Sequence, residues 1–179
     1  MTTFPHRLMG ASVLDIDTYE EVEADRGATA QALVVVLASS LAGGIGASGF
    51  IHDGRALVEG VFLWSAISLV AWAAWALLVF EIGGRLLPEP DTSVDVGELL
   101  RTIGFASAPG MLRVFGVVPE FALPVFVLTT AWMLVAMVVA VRQALDYKST
   151  ARAVAVCTIG LVLALVIAFG FGLLATPLS

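Results

Sequence analysis

Four long apolar stretches without a single charged side chain constrain this sequence most. They lie between Arg26 and His52, between Glu59 and Glu81, between Glu120 and Arg142, and after Arg152. A helix needs roughly 20 apolar residues to cross a bilayer core about 30 Å thick, and each stretch is long enough. Hydrophobic residues make up 59% of the 179 residues, more than a soluble chain of this length can bury. The sequence therefore predicts an all-α, polytopic membrane helix bundle.

Composition excludes several classes of function. The net charge of −6 argues against a nucleic-acid partner. Two histidines and the single Cys157 are too far apart to show any known metal-ligand spacing, and the chain has no phosphate-binding or dinucleotide-binding motif. We therefore expect no cofactor, no metal and no catalytic residue.

A further candidate span, residues 96–118, carries Glu98, Arg101 and Arg113 and contains Pro109. It could be a full span, a broken helix or a re-entrant segment. Cytoplasmic loops are enriched in Lys and Arg, and this bias favours a full crossing. With five spans and the N-terminus inside, the inner side holds seven basic residues: Arg7, Arg26, Arg85, Arg101, Arg142, Lys148 and Arg152. Only Arg55 and Arg113 then lie outside.

The sequence thus predicts a multi-pass protein of the cell (inner or plasma) membrane with its C-terminus outside. A cytoplasmic segment, residues 1–27, precedes a membrane domain at 28–176. The predicted spans are about 28–47, 57–81, 96–118, 121–142 and 152–174. The acidic residues 15–25 predict a short helix, which either docks a partner or caps the bundle.

The third span contains most of the candidate functional or structural residues. Glu98 and Arg101 are three residues apart, so they share a helix face and are expected to pair near the inner interface. Arg113 is expected to reach the outer interface with its long stem. Gly104 and Pro109 fit two alternatives: a hinge or the floor of a polar cavity, or a tightly packed central helix.

The segment GASGF, residues 46–50, with His52 close by, is similar to the surroundings of the nucleophile in rhomboid intramembrane proteases. A serine nucleophile needs a base placed to take its proton, and rhomboids supply that histidine from a different helix. Here His52 is only four residues from Ser48. We therefore interpret the segment as a frayed helix end followed by a turn.

A longer pattern resembles the Yip family (Ypt-interacting, Yip-one domain) of five-span membrane proteins. RTIGFASAPGMLRVFG supplies Arg101, Gly104, Phe105 and Pro109, and Arg142 leaves the fourth span before the polar loop and the Ala-rich fifth span. The resemblance covers nearly the whole chain and is to prokaryotic-type members. It implies a cytosolic N-terminus, and eukaryotic members are linked to Rab-type GTPases and vesicle traffic. Their Asp-Leu-Tyr-Gly-Pro loop is absent here, so the GTPase partner is not carried over.

We therefore expect a non-enzymatic membrane protein that organises membranes or binds a partner as a scaffold. The alternative is a small transporter, channel or lipid-translocating protein. The expected partners are the lipid bilayer and either another protein or further copies of the chain.

Overall fold

The computed structural model describes residues 2–48, 54–90, 92 and 95–175. All regular structure in these ranges is helical, which confirms the predicted all-α class. The described α-helices are α1 (Phe4–Ser12), α2 (Ile16–Ala24), α3 (Ala28–Ala47), α4 (Gly54–Glu81), α5 (Val96–Ala106), α6 (Pro119–Ala144) and α7 (Thr150–Ala175). A π-helical turn, Ile82–Leu86, follows α4, and a 3₁₀ helix, Ala108–Val117, follows α5.

Among the described residues, three helices are long and apolar enough to cross a membrane. They are Ala28–Ala47, Gly60–Leu86 and Pro119–Ala144, and α7 adds a shorter apolar stretch, Thr150–Val166. Large apolar side chains on these helices, such as Val34, Phe62 and Leu128, remain exposed. Exposed apolar surface of this kind is typical of a membrane contact. The number of crossings and their direction stay predictions.

Two short helices, α1 and α2, form an N-terminal layer (residues 2–27). α2 lies at the end of the bundle where α6 ends, whereas α1 lies against α5, the 3₁₀ helix and the middle of α6, where Trp132 donates to the carbonyl oxygen of Ser12 at 2.8 Å. The side chain of Asp15 caps α2 by accepting from the backbone N–H of Thr18 at 3.2 Å. On α2, Tyr19 and Val22 are fully buried, whereas Ile16 remains 44% exposed. Because α2 packs against α5 and α6, the acidic helix caps the bundle.

The third predicted span is a broken helix. α5 ends at Ala106, and the 3₁₀ helix begins at Ala108, with Pro109 in its first turn. Proline lacks a backbone N–H and its ring clashes with the preceding turn, which disfavours a continued α-helix at Pro109, although α6 accommodates Pro124 in its interior. The 3₁₀ helix packs closely between α3 and α6. Gly104 permits α5 to approach α3 closely, because a Cβ there would lie only 2.8 Å from the Cβ of Ala32.

α2 of the N-terminal layer shares its end of the bundle with the two loops that follow α4 and α6. Tyr147 is buried, and its hydroxyl lies 2.8 Å from the carbonyl oxygen of Gly83 and 2.7 Å from that of Leu87. Arg152 donates to the carbonyl oxygen of Pro88 at 2.8 Å. These bonds join the π-helical turn to the α6–α7 connection.

The crossing of α3 with the 3₁₀ helix can be tested at two glycines of α3. Gly46 is buried, and a Cβ there would overlap the backbone carbonyl oxygen of Arg113. Backbone cannot move aside as a side chain can, so Gly46→Ala should destabilise the protein by about 1–3 kcal/mol. Thermal unfolding in detergent would measure this as a lower midpoint.

Gly43→Ala is the matched control on the same helix. A Cβ at Gly43 would meet only the Cδ of Arg113, at an ordinary 3.7 Å. Both substitutions gain the same helix propensity, so only the clash distinguishes them. Equal midpoints for the two variants would mean that α3 and the 3₁₀ helix do not cross as described.

Candidate functional site

The N-terminal layer is built around a buried charge, the guanidinium of Arg7. This side chain is 2% exposed and forms ion pairs of 2.8 Å with both Glu21 and Asp25. It also donates to the side-chain oxygen of Gln31 at 3.1 Å. Hydrogen bonds from Thr2 and then from Arg7 lower the pKa of Glu21 to about 2. The buried charge is therefore fully compensated, as buried charges must be.

Arg101 fastens this layer to the membrane helices. Its side chain is 6% exposed, and its guanidinium donates to the backbone carbonyl oxygens of Val22, at 3.2 Å, and Glu23. These carbonyls belong to the last turn of α2, where they lack intrahelical partners and carry the negative end of the helix dipole. Arg101 thus joins α5 to the C-terminal end of α2.

The expected ion pair between Glu98 and Arg101 is wrong. Both residues are described, and no salt bridge joins them, because Arg101 extends to the carbonyls of α2 instead. Glu98 lies in the first turn of α5, which begins with Asp95 accepting from the backbone N–H of Gly97. A carboxylate in that turn interacts favourably with the positive end of the helix dipole.

Four carboxylates gather where the layer meets the bundle. Burial raises the pKa of Glu23 to about 7, and the neighbouring charges of Asp146, Glu98 and Glu20 add to this effect, while Arg101 opposes it. Gln143 of α6 donates to Glu20 at 3.0 Å. Glu23 therefore changes charge near neutral pH, and its surroundings favour the protonated form.

Arg113 contacts α6, and its expected anchoring at the outer interface stays a prediction. Its guanidinium donates to the hydroxyls of Thr129 at 3.3 Å and Thr130 at 2.8 Å, and it lies 5.3 Å from the ring centre of Phe126. These threonines lie about ten residues into α6, roughly 15 Å along its axis. Thr129 is buried and Thr130 is exposed, so the hydroxyls and the aromatic face replace part of the water that the charge would otherwise seek.

A cavity of about 230 Å³ lies beside Arg113. Hydroxyl groups of α3 and the end of α5 contribute to its wall through Ser39, Ser40 and Ser107. The remaining wall is mainly apolar and aromatic, from Val36, Gly43, Ala71, Trp72, Trp75, Ile103, Met133 and Met137. The third segment contributes Ile103, Ser107 and Arg113 to this cavity, while Gly104 packs against Ala32, so the choice between the two alternatives for this segment stays a prediction.

The other candidate residues have structural positions. Gly104 contacts α3, and Pro109 begins the 3₁₀ helix. Arg142 donates to the carbonyl oxygen of Tyr147 at 3.2 Å and so closes the turn after α6. Ser48 follows α3 directly, whereas His52 lies outside the described residues. In the part of the chain that is described, no three His, Cys, Asp or Glu side chains group as metal ligands.

Several important residues were not singled out from the sequence. Arg7 has a usable signal, since it is the single arginine of α1, whose other polar side chains are His6 and Ser12, and an acidic helix follows. Ser39 and Ser40 interrupt the first apolar run as an adjacent pair. Thr129 and Thr130, whose hydroxyls accept hydrogen bonds from Arg113, could not be singled out in the sequence, because two threonines in a long apolar helix are ordinary.

The sequence profile of the Yip1 domain matches residues 15–171. The chain belongs to the Yip1 domain family. The Yip1 domain thus runs from the cap of α2 into α7, which confirms the resemblance carried by the third and fourth predicted spans. α1 precedes the matched region, so Arg7 connects the Yip1 domain to a helix outside it. No curated protein and no solved structure matches the chain.

The anchoring role of Arg101 predicts a specific loss. Arg101→Gln removes the charge that satisfies the last carbonyls of α2, and hydrogen bonds to charged groups contribute about 1.5–3 kcal/mol each. We expect a lower unfolding midpoint in detergent and faster proteolysis within residues 2–27. Arg85→Gln is the control, because that arginine is 66% exposed and pairs with Glu81 at the surface.

Adding Glu98→Gln to Arg101→Gln should change little, because no ion pair joins the two residues. If the double variant regained the stability of the unaltered protein, Arg101 would be balanced by Glu98 after all. The carbonyl contacts would then be secondary.

The raised pKa of Glu23 predicts that the stability of the folded protein depends on pH. Its pKa in the folded protein, about 7, lies above the ordinary 4.5. The folded state therefore binds more protons between these values, and stability falls as the pH rises through 7. The lowered pKa of Glu21 acts in the opposite sense, but only below 4.5.

Thermal unfolding compared at about pH 5.5 and about pH 8 would measure this difference, with the lower midpoint at the higher pH. Glu23→Gln should remove most of the difference. Asp17→Asn, which changes an exposed acid on the same helix, should retain it. An unchanged pH dependence in Glu23→Gln would assign the effect to another group.

Proposed function

We propose that the chain is a non-enzymatic scaffold of the cell membrane that presents its N-terminal layer to a protein partner. This proposal rests on the contacts that hold the N-terminal layer against the bundle. Arg7 and Arg101, both buried, hold α2 in one position, while Asp17 and Glu20 remain exposed on it. A surface already held in its binding shape loses less conformational entropy when a partner docks. The acidic exposed face favours a basic partner segment.

We also propose that the chain crosses the membrane five times with the layer inside. The broken third segment has the necessary reach, since the 11 residues of α5 and the 10 of the 3₁₀ helix cover roughly 36 Å. This exceeds a bilayer core of about 30 Å. Basic residues of both connecting loops, including Arg85, Arg142 and Arg152, lie on the same side of the bundle as the layer, which supports a cytoplasmic position.

Photo-crosslinking in cells tests the scaffold. A photoreactive side chain replacing Asp17 should give a discrete protein adduct, and Glu20→Lys should abolish that adduct by reversing a neighbouring charge without removing a buried contact. The same photoreactive side chain replacing Glu120, which is exposed in the first turn of α6, is the matched control. It should give no such adduct.

The same two positions, Asp17 and Glu120, test which side of the membrane each one faces. A membrane-impermeant thiol reagent on intact cells should label Glu120→Cys and leave Asp17→Cys unlabelled. Labelling of both positions would contradict the orientation. An adduct of twice the chain mass at position 17 would identify the partner as a second copy, and no adduct at normal protein levels would contradict the scaffold.

A small transporter, channel or lipid-translocating protein is the second candidate. The cavity beside Arg113 favours it, because ionisable groups within spanning segments often lie on ligand or ion pathways. Purified protein in vesicles with a fluorescent lipid in one leaflet distinguishes the two. A scaffold leaves the rate of lipid exchange at that of protein-free vesicles, whereas a translocating protein raises it.

A further inference from the structure

Arg113 carries a charge that no acidic side chain balances within the described residues. Its side chain is half-buried, and its protein partners are two neutral hydroxyls and one aromatic ring. A guanidinium has five N–H donors in a planar fork that matches phosphate and carboxylate oxygens. Two threonine hydroxyls therefore leave both charge and hydrogen-bonding capacity unused.

Two further polar groups beside Arg113 also have unused hydrogen-bonding capacity. The buried indole nitrogens of Trp72 and Trp75, which contribute to the wall, have no hydrogen-bond partner in the described part of the protein. Ser39 and Ser40, which are 6% and 7% exposed, also line the cavity. Buried polar groups are normally paired, so this grouping of donors calls for an explanation.

The chemistry of the wall identifies the class of ligand. Arginine and indole groups only donate hydrogen bonds, and serine hydroxyls can donate. Neither aspartate nor glutamate contributes to the cavity. Such a set of donors favours an anionic oxygen group and disfavours a cation.

We propose that this cavity binds a phosphate group, carried by a phospholipid headgroup or free in solution. The cavity of about 230 Å³ is far larger than the roughly 30 Å³ share of one water molecule, so it can hold a phosphate together with part of a glycerol unit. Apolar residues such as Ile103 and Met137 complete the wall and suit the first carbons of acyl chains. This site is independent of the scaffold proposal, since binding requires neither a partner protein nor translocation.

Binding to the purified full chain in detergent tests the site. The probes are dihexanoyl phosphatidylglycerol, inorganic phosphate and dihexanoylglycerol, which lacks the phosphate. We expect saturable binding of the phosphatidylglycerol and none of the dihexanoylglycerol. If inorganic phosphate binds and competes, the phosphate group alone is recognised, and if it does not, the source is a lipid. Absence of saturable binding by both phosphate-containing probes overturns the proposal.

Variants locate the site. Arg113→Gln should weaken binding by at least about tenfold, because it removes a charge-assisted bidentate contact. Arg113→Lys should lose less, because it keeps the charge. Arg85→Gln, at an exposed arginine outside the cavity, should bind as the unaltered protein does. Equal affinity of Arg113→Gln and the unaltered protein overturns the proposal.

If the Arg113→Gln protein does not accumulate, a second variant tests the site. Ser39→Ala combined with Ser40→Ala removes two hydroxyl oxygens from the wall and leaves Arg113 in place. Weaker binding by this variant supports the site, and unchanged binding places the ligand elsewhere.

Discussion

The contact of Arg101 with the last carbonyls of α2 is the interaction on which the rest of the arrangement depends. A guanidinium buried to 6% exposure would be costly without strong acceptors, and the carbonyls of Val22 and Glu23 need a donor at a helix end. Each group therefore satisfies the other. The same bond sets the position of Glu23, and through it the cluster of carboxylates where layer and bundle meet.

The break in the third segment at Pro109 determines where the side chain of Arg113 lies. Because the chain continues as a 3₁₀ helix, the side chain of Arg113 reaches Thr129 and Thr130 of α6. α3 also approaches the 3₁₀ helix closely at Gly46, because glycine has no side chain to hold the two backbones apart. An arginine, a pair of serine hydroxyls and a cavity thus meet within the membrane-spanning part of a chain that otherwise keeps its charges near helix ends.

Local signals predicted much of the fold. The charge-free runs give helices at the expected places, and for residues 96–118 the structure has one of the alternatives left open, a broken helix in which α5 ends at Ala106, before Pro109. The partners of the two arginines could not be predicted in this way. Spacing along a helix favoured Glu98 for Arg101, but its acceptors are 78 and 79 residues away in the sequence, and only tertiary packing brings them close. The cavity depends on packing in the same way.

The separation between Arg101 and its acceptors also has a consequence for biogenesis. α2 leaves the ribosome long before α5, so its last carbonyls stay in water until the third segment has been made. In the proposed five-span topology, a third segment inserted the wrong way round would place Arg101 on the opposite side of the bilayer from those carbonyls. The layer would then close only over a correctly oriented bundle, and its closure would report that insertion has succeeded.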